Sequence, residues 1–378
     1  MRITGQTVVG LFSRTVRKLV RKAGAARGHL AGGLRRCKGW GQRTWGAIVS
    51  SLGDTTGPRP KVRDADRDPI RTFQRRSSQG SRGRRYTLHL PPGYTGRRPL
   101  PLVMMLHGCQ QRHDDIRAIS NFDAIADREG FIAVYPFVTG YRGVRMENCW
   151  GWWLSKEIEP GGGEVEDLWH IVEEVKGDFN VDPRRIHIAG LSSGGGMAVA
   201  AMVVHSARIA SGAVVAGVPY SESCLALAFA RRHKPVKDVV AAMNSAIGDI
   251  KRPVPIFIAH SRADEVIGIR AAENIRDSWA TCFDIDKSRG MSQRSGNSRG
   301  TPWMHTKYRA GSRRTIIETL FLEDRRHGWY GGNPGHFSHP DAPDISKQIW
   351  QFFRTHPLER AVCVEDSKAR AQAISRVA

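Results

Sequence analysis

Apolar runs and amphipathic stretches alternate along residues 84–354 of this chain. Short runs of aliphatic and β-branched residues are typical of buried strands, and they predict strands at 84–91, 101–106, 131–136, 185–189, 211–217, 254–260 and 315–322. Apolar residues recur at helical spacing between them, which predicts helices at 114–129, 164–178, 194–206, 270–281 and 342–354. The alternation predicts an α/β fold, in which helices cover both faces of a mostly parallel central sheet.

Polar stretches interrupt this pattern and indicate the domain boundaries. Residues 51–82 are rich in Ser, Gly, Pro and Arg and predict a disordered linker. Residues 284–301 are polar and glycine-rich and predict a surface insertion. We therefore expect an N-terminal extension over 1–82, a catalytic domain over 83–357 and a C-terminal tail over 358–378.

The positive charge of the chain is concentrated in its N-terminal part. The net charge is +22, and the first 100 residues hold 23 Lys and Arg against 4 Asp and Glu, whereas the remaining 278 hold 35 against 32. Between residues 8 and 22, apolar and basic side chains segregate to opposite helical faces. This pattern favours a helix within residues 1–50 on an anionic membrane or granule surface. A solvated tail without a partner is the alternative, and we expect no specific nucleic-acid binding.

The N-terminus does not predict a compartment. Its longest apolar run, residues 8–12, is too short for the core of a secretory signal peptide. A start that is rich in Arg and lacks acidic residues also resembles an organellar transit peptide. No segment approaches the length of a membrane span.

The segment Gly190-Leu191-Ser192-Ser193-Gly194 follows a predicted strand and precedes a helix of small residues. Gly-x-Ser-x-Gly in this context is typical of a nucleophile elbow, a sharp turn that exposes a serine hydroxyl. The glycines are required because neighbouring backbone passes close to the turn. An ordinary strand-to-helix turn is the alternative. We interpret Ser192 as a nucleophile.

A serine nucleophile of this kind needs an acid and a histidine later in the chain. Asp264 follows the predicted strand 254–260, and His327 follows the strand 315–322. The sequence therefore predicts His327 as the general base and Asp264 as the group that orients it. Other histidines fit this order of residues less well; they are His260, His305, His336 and His339.

The predicted strand 101–106 ends in His107-Gly108-Cys109. In folds with a nucleophile elbow, this loop and the residue after the nucleophile supply backbone N–H groups to the oxyanion. These groups are the amides of Cys109 and Ser193. We interpret His107 as structural rather than catalytic.

Several segments together resemble the polyhydroxybutyrate depolymerase family of esterases, within the α/β-hydrolase superfamily. The resemblance covers about residues 83–356 and rests on Leu106-His107-Gly108-Cys109-Gln110-Gln111, Asn148-Cys149-Trp150-Gly151-Trp152-Trp153, Gly190-Leu191-Ser192-Ser193-Gly194-Gly195 and His327-Gly328-Trp329-Tyr330-Gly331-Gly332. One departure is His260-Ser261-Arg262-Ala263-Asp264, where the family usually has two aspartates. Another is the charged stretch 323–326 before His327, where the family is usually small and glycine-rich.

The resemblance implies an α/β-hydrolase fold and a serine carboxylic-ester hydrolase acting on polyhydroxyalkanoate-type or other short-acyl esters. A feruloyl or acetylxylan esterase of plant glycans is an alternative. A serine peptidase, or an inactive hydrolase that binds anionic surfaces through its N-terminus, is an alternative from another class. The resemblance also implies an extracellular location, with a cytoplasmic or granule-associated one as the alternative.

Aromatic residues and cysteines cluster near the predicted site. Trp150 and Trp329 flank the oxyanion and histidine loops, and we expect them to contact substrate. Cys109 and Cys149 lie in the same region, so a disulfide between them is a hypothesis; a Cys224–Cys282 pair is a weaker one. Cysteine spacing typical of zinc, a phosphate loop and a dinucleotide motif are all missing, so we expect no metal and no cofactor.

Overall fold

The computed structural model describes residues 83–138, 148–224, 233–248, 250–311 and 314–359, and also the backbone of the strand Arg71–Gln74. The predicted amphipathic helix within residues 1–50 and the tail beyond residue 359 lie outside the described residues. Cys37 and Cys363 lie outside them too.

Ten strands of the described residues form one large sheet. Its strands are β1 (Arg71–Gln74), β2 (Arg85–His89), β3 (Leu100–Leu106), β4 (Ile132–Pro136), β5 (Val181–Leu191), β6 (Ser211–Val215), β7 (Ile256–Ser261), β8 (Ser292–Ser298), β9 (Thr301–Ala310) and β10 (Arg314–Leu322). Their order is β1-β2-β4-β3-β5-β6-β7-β10-β9-β8. All pairings from β4 to β10 are parallel, and the strands at both edges are antiparallel. The mostly parallel sheet that the sequence predicted is confirmed.

Helices cover both faces of this sheet. They are α1 (His113–Ser120), α2 (Phe122–Glu129), α3 (Ser155–Ile158), α4 (Gly163–Asp178), α5 (Ser193–Val204), α6 (Val236–Ala246), α7 (Arg270–Cys282) and α8 (Ile345–Thr355). Alternate residues of β3 enter different cores, since Met104 joins the cluster of α4 and α5 while Met105 joins that of α1, α2 and α8. A strand buried on both faces has a continuous apolar sequence, as β3 does. None of the helices in the described part of the chain is long and apolar enough to span a membrane.

The polar stretches contain two strands that the sequence did not predict. Arg71–Gln74, expected within a disordered linker, pairs antiparallel with β2 at the sheet edge. The expected insertion 284–301 contributes to a hairpin, with β8 pairing antiparallel with β9 through a turn at Arg299 and Gly300. Both turn residues have positive φ, which matches the twist of a tight hairpin. Strand β8 is exposed and polar along most of its length, so it has no apolar period to detect.

Two differences concern helices. The predicted helix 114–129 is two helices, because Asn121 adopts a left-handed conformation with φ 56° between α1 and α2. Asn tolerates this conformation better than most residues.

Helix α6 follows Pro235 and buries Val239 and Met243, and it is not among the helices predicted from the sequence. Two short parallel strands, β11 (Trp329–Tyr330) and β12 (Ser338–His339), follow β10.

Candidate active site

Ser192 lies at the turn between β5 and α5. Its backbone has φ 57° and ψ −118°, a conformation that costs free energy for a residue with a side chain. The turn is fixed by the Ser192 N–H, which donates to the carbonyl of Val215 on β6 at 2.8 Å. The strain is therefore held in place by the neighbouring strand, and the residue occupies the tip of the turn that the sequence predicted.

Gly190 and Gly194 let two pieces of backbone meet at this turn. A Cβ on Gly190 would lie 2.2 Å from the carbonyl oxygen of Gly194, and one on Gly194 would lie 2.5 Å from those of Leu106 and His107. Backbone cannot yield as a flexible side chain can. The close approach brings β3 and its following loop directly against the Ser192 turn.

His327 and Asp264 come from adjacent strands. They follow β10 and β7, which pair in parallel with Leu322 opposite Ser261. Parallel neighbours end at the same edge of a sheet, so their following loops meet there. The His327 Nδ1 atom lies 2.7 Å from Asp264 Oδ2, and Ser192 lines the same narrow cleft as His327.

The Asp264 carboxylate is fully buried and well supplied with donors. Its Oδ1 accepts the backbone N–H groups of Val266 at 2.9 Å and Ile267 at 2.8 Å. Burial opposes ionisation of this carboxyl, but the charge and hydrogen bond of His327, with the His260 ring and the Ile267 N–H, hold its pKa below the usual range. The acid is thus a carboxylate that can fix the His327 ring.

His260 lies beside the same carboxylate but is engaged elsewhere. Its Nε2 is 3.5 Å from Asp264 Oδ2 and only 2.7 Å from the carbonyl oxygen of Ile267. Burial lowers the pKa of His260, despite the nearby carboxylate. It is therefore a neutral donor to the loop that carries Asp264.

The loop after β3 is held by hydrogen bonds from several directions. The Gly108 N–H donates to Gln111 Oε1 at 2.9 Å, and Gln111 Nε2 donates to the His336 carbonyl at 2.9 Å. Burial lowers the pKa of His107 to about 3, so its ring is neutral and can donate from Nδ1 to the Gly108 carbonyl at 2.8 Å. Both results agree with a structural His107.

The two amides predicted for the oxyanion hole belong to the loop after β3 and to the start of α5. Ser193 is the first residue of α5, where a backbone N–H has no acceptor within the helix. The Cys109 N–H has no acceptor among the residues that the structure describes. A Cβ on the intervening Gly108 would lie 3.3 Å from Ser192 Cβ, so the Cys109 loop passes in contact with the serine.

Trp150 and Trp329 lie in the core rather than in the cleft. Both side chains have zero solvent exposure. Trp150 Nε1 donates to the His107 carbonyl at 3.0 Å, and Trp329 Nε1 donates to Ser346 Oγ at 3.0 Å. The prediction that Trp150 and Trp329 contact substrate is therefore wrong. Their rings are buried and their N–H groups are hydrogen-bonded inside the protein, so they support the loops around the site instead.

A buried ion network supports the segment around Trp150. Arg84 Nη2 lies 3.1 Å from Glu164 Oε1 and 2.6 Å from Asp167 Oδ2, and all three side chains are buried. Glu164 Oε2 accepts the N–H of Gly151 at 2.6 Å. The network thus fixes the backbone next to Trp150, and through Trp150 it reaches the loop after β3.

The structure joins Cys109 to Cys149 by a disulfide. It connects the loop after β3 to the Trp150 segment, as the sequence hypothesis proposed. The weaker hypothesis, a Cys224–Cys282 pair, is wrong, because no disulfide joins these two cysteines. Cys282 Sγ lies 3.5 Å from Asn244 Oδ1.

Two residues that the sequence analysis missed lie in the cleft. Val266 and Phe337 line it together with Ser192, His327 and Cys109. The Phe337 ring packs edge-on to His327, with 6.2 Å between the centroids. Neither residue belongs to a motif. Only their positions, two residues after Asp264 and ten residues after His327, are a signal in the sequence that could have indicated them.

Within the described ranges, no group of three His, Cys, Asp or Glu side chains could hold a metal ion.

Comparison with known proteins identifies the family and the fold to which this chain is similar. A family model for esterase PHB depolymerases matches residues 84–300. Poly(3-hydroxyalkanoate) depolymerase C of Paucimonas lemoignei is 27% identical over 250 residues, which are 64% of this chain and 57% of that protein. A bifunctional acetylxylan esterase/xylanase of Neocallimastix patriciarum is 25% identical over 67% of this chain and 30% of its own length. The chain therefore spans well under two thirds of these two relatives.

Two further comparisons cover more of the matched protein. Feruloyl esterase B of Neurospora crassa is 25% identical over 50% of this chain and 68% of its own length. The solved acetyl xylan esterase from Aspergillus awamori has a TM-score of 0.60 at 16% identity, covering 75% of this chain and 99% of that one. The fold is the α/β-hydrolase fold that the sequence predicted. With the family model matching more than half of its length, the chain belongs to the esterase PHB depolymerase family.

Proposed function

We propose that the protein is a serine carboxylic-ester hydrolase that forms an acyl-enzyme on Ser192. The observation that carries the proposal is the 2.7 Å contact between His327 Nδ1 and Asp264 Oδ2, in a cleft that Ser192 also lines. Membership of an esterase family supports the same reaction class.

The proposed reaction has two halves. Ser192 Oγ attacks the acyl carbon while His327 Nε2 takes its proton, and the imidazolium then protonates the departing alcohol. Water repeats the sequence on the acyl-enzyme and releases the acid and free Ser192. Because Nδ1 faces Asp264, Nε2 is the ring nitrogen left for the serine, and the ionised Asp264 stabilises the positive ring.

Charge on the tetrahedral intermediate would be met by the amides of Cys109 and Ser193. Each donor of this kind contributes about 3–4 kcal/mol to the transition state. The held loop around Cys109 supports this role, because a preorganised donor does not need to move as charge develops.

The substrate is proposed to be a polyhydroxyalkanoate-type or other short-acyl ester. The apolar side chains Val266 and Phe337 beside Ser192 support an apolar acyl group. A feruloyl or acetylated glycan ester is the second candidate, supported by the relatives named for those activities. Binding of residues 1–50 to an anionic surface stays a prediction, as does the extracellular location.

The test is ester hydrolysis by the wild type and Ser192→Ala. Substrates would be p-nitrophenyl esters from acetate to octanoate, methyl ferulate and a 3-hydroxybutyrate oligomer. Ser206→Ala is the matched control, since Ser206 is also buried and donates to the Ile250 carbonyl. Turnover should fall by about 10⁴-fold or more in Ser192→Ala alone, with both variants melting cooperatively. If Ser192→Ala retained its turnover, Ser192 could not be the nucleophile.

A further inference from the structure

A cavity of about 450 Å³ lies on the other side of the parallel sheet from α5, between the outer strands and helix α8. The strands β7, β9 and β10 form its floor, and α8 covers only part of them. It shares no lining residue with the cleft at Ser192. Its volume lies within the range of small-molecule binding sites.

The floor of this cavity carries a cluster of charged side chains. Glu318 is nearly buried, and its two oxygens lie 2.8 Å from His305 Nε2 and 2.9 Å from Lys307 Nζ. Burial raises the pKa of Glu318, but the hydrogen bonds of His305 and Lys307 outweigh it and hold the pKa below its usual range. Glu318 therefore keeps its charge and uses one of the three N–H donors of Lys307.

A second cation lies on the same face of the sheet as Lys307, outside the residues that line the cavity. Arg294 of β8 stands directly opposite His305, so the two share a face. Lys307 is 40% exposed. Lys307 is thus the permanent cation within the cavity and Arg294 adds a second one on the adjoining strand, while the carboxylate of Glu318 is already paired. This balance favours an anionic group on a ligand.

The walls supply apolar surface and amide donors. Phe257 and Phe352 pack with centroids 5.9 Å apart, and Trp303 lines the same cavity. Gln348 and Gln351 face it from α8, and neither side chain has a hydrogen-bond partner among the described residues. An apolar body and a polar head group would both find complementary side chains here.

From this juxtaposition we propose that the cavity is a second binding site, for a small organic carboxylate with an aromatic or similarly sized apolar body. The carboxylate pairs with Lys307 and accepts from Gln351 on α8. The body packs against Trp303 and Phe352. No bond is formed or broken, so the site is independent of the reaction at Ser192.

The test is calorimetric titration of the full chain with trans-cinnamate and its uncharged analogue trans-cinnamamide. Lys307→Met, which removes the charge but keeps most of the stem, should weaken cinnamate binding about tenfold or more. Lys307→Arg should restore most of the affinity. Lys347→Met is the matched control, since Lys347 is 62% exposed on α8 and does not line the cavity.

A second variant guards against misfolding of Lys307→Met. Gln351→Ala leaves the charged cluster intact and should also weaken cinnamate binding, while hydrolysis of p-nitrophenyl acetate stays at the wild-type rate. The proposal is overturned by any of three outcomes: no binding of cinnamate up to about 10 mM, equal affinity for cinnamamide, or an affinity that none of these substitutions changes. The last outcome would place the ligand elsewhere, including the Ser192 cleft.

Discussion

Trp150 donates its indole N–H to the carbonyl oxygen of His107 at 3.0 Å, and the two rings pack with centroids 5.4 Å apart. The same segment reaches the loop after β3 through the Cys109–Cys149 disulfide and through Asn148, whose side chain donates to the Gln111 carbonyl at 3.2 Å. The proposed oxyanion loop is therefore held at three points by one neighbouring segment.

Removing the indole N–H tests this support. Trp150→Phe keeps an aromatic ring but leaves the buried His107 carbonyl without its donor, which should cost about 1–3 kcal/mol of stability. We expect kcat for p-nitrophenyl acetate to fall while KM changes less, because the oxyanion donors act mainly in the transition state. Trp279→Phe is the control: it removes a similar 2.8 Å bond, to the Val254 carbonyl. Its melting temperature should fall without a matching loss of kcat; an equal loss in both would contradict the positioning role.

Reduction of the disulfide should affect the same loop. The crosslink closes 40 residues, for which chain entropy gives about 4 kcal/mol of stabilisation. Cys109→Ser with Cys149→Ser should therefore lower the melting temperature and reduce kcat. Intact mass after alkylation of the denatured protein, with and without reductant, measures the bond directly. Alkylation of Cys109 without reductant would show that the bond does not form.

Asp264 should make the stability of the protein depend on pH. The pKa of the Asp264 carboxyl is lower in the folded protein than its ordinary value of 3.8. The carboxylate therefore stabilises the fold above pH 3.8, and this stabilisation is lost as the pH falls through the pKa of Asp264 in the folded protein. Asp264→Asn should lower kcat by about 10⁴-fold. The melting-temperature difference between wild type and Asp264→Asn should be larger at neutral pH than near pH 3. A difference that is constant or grows on acidification would contradict the lowered pKa.

The glycine contacts at the elbow predict opposite effects of the same substitution. Gly194→Ala would force a Cβ to within 2.5 Å of two backbone carbonyls, so we expect severe destabilisation and loss of turnover. Gly177, within α4, has open space around it. Gly177→Ala should raise stability by about 0.5–1 kcal/mol, since Ala has the better helix propensity. Chemical denaturation of both variants measures the contrast, and a mild effect at Gly194 would refute the tight turn.

The sequence predicts the central sheet well because each parallel strand is apolar on both faces and therefore forms a continuous run. Strand β8 escapes prediction because its side chains are exposed and polar. The polar residues proposed for catalysis follow strand ends, which the sequence locates. The direction in which a side chain points after a strand depends on the packing of distant segments, so Trp150 was expected in the cleft and lies in the core. Phe337 reaches the cleft only because β11 and β12 fold back beside each other.

The side chain and the backbone of Val266 contact different parts of the site. Its side chain borders the cleft at Ser192, while its backbone N–H holds Asp264 Oδ1. A substitution of Val266 that reshapes the cleft also shifts the backbone N–H that holds Asp264, the residue that orients His327. Phe337 carries no such bond to the acid, and its carbonyl accepts from the Trp329 N–H at 2.8 Å. Engineering of chain-length preference should therefore begin at Phe337, with aromatic replacements that keep its ring contact with His327. Val266 should be treated as a position at which selectivity and turnover change together.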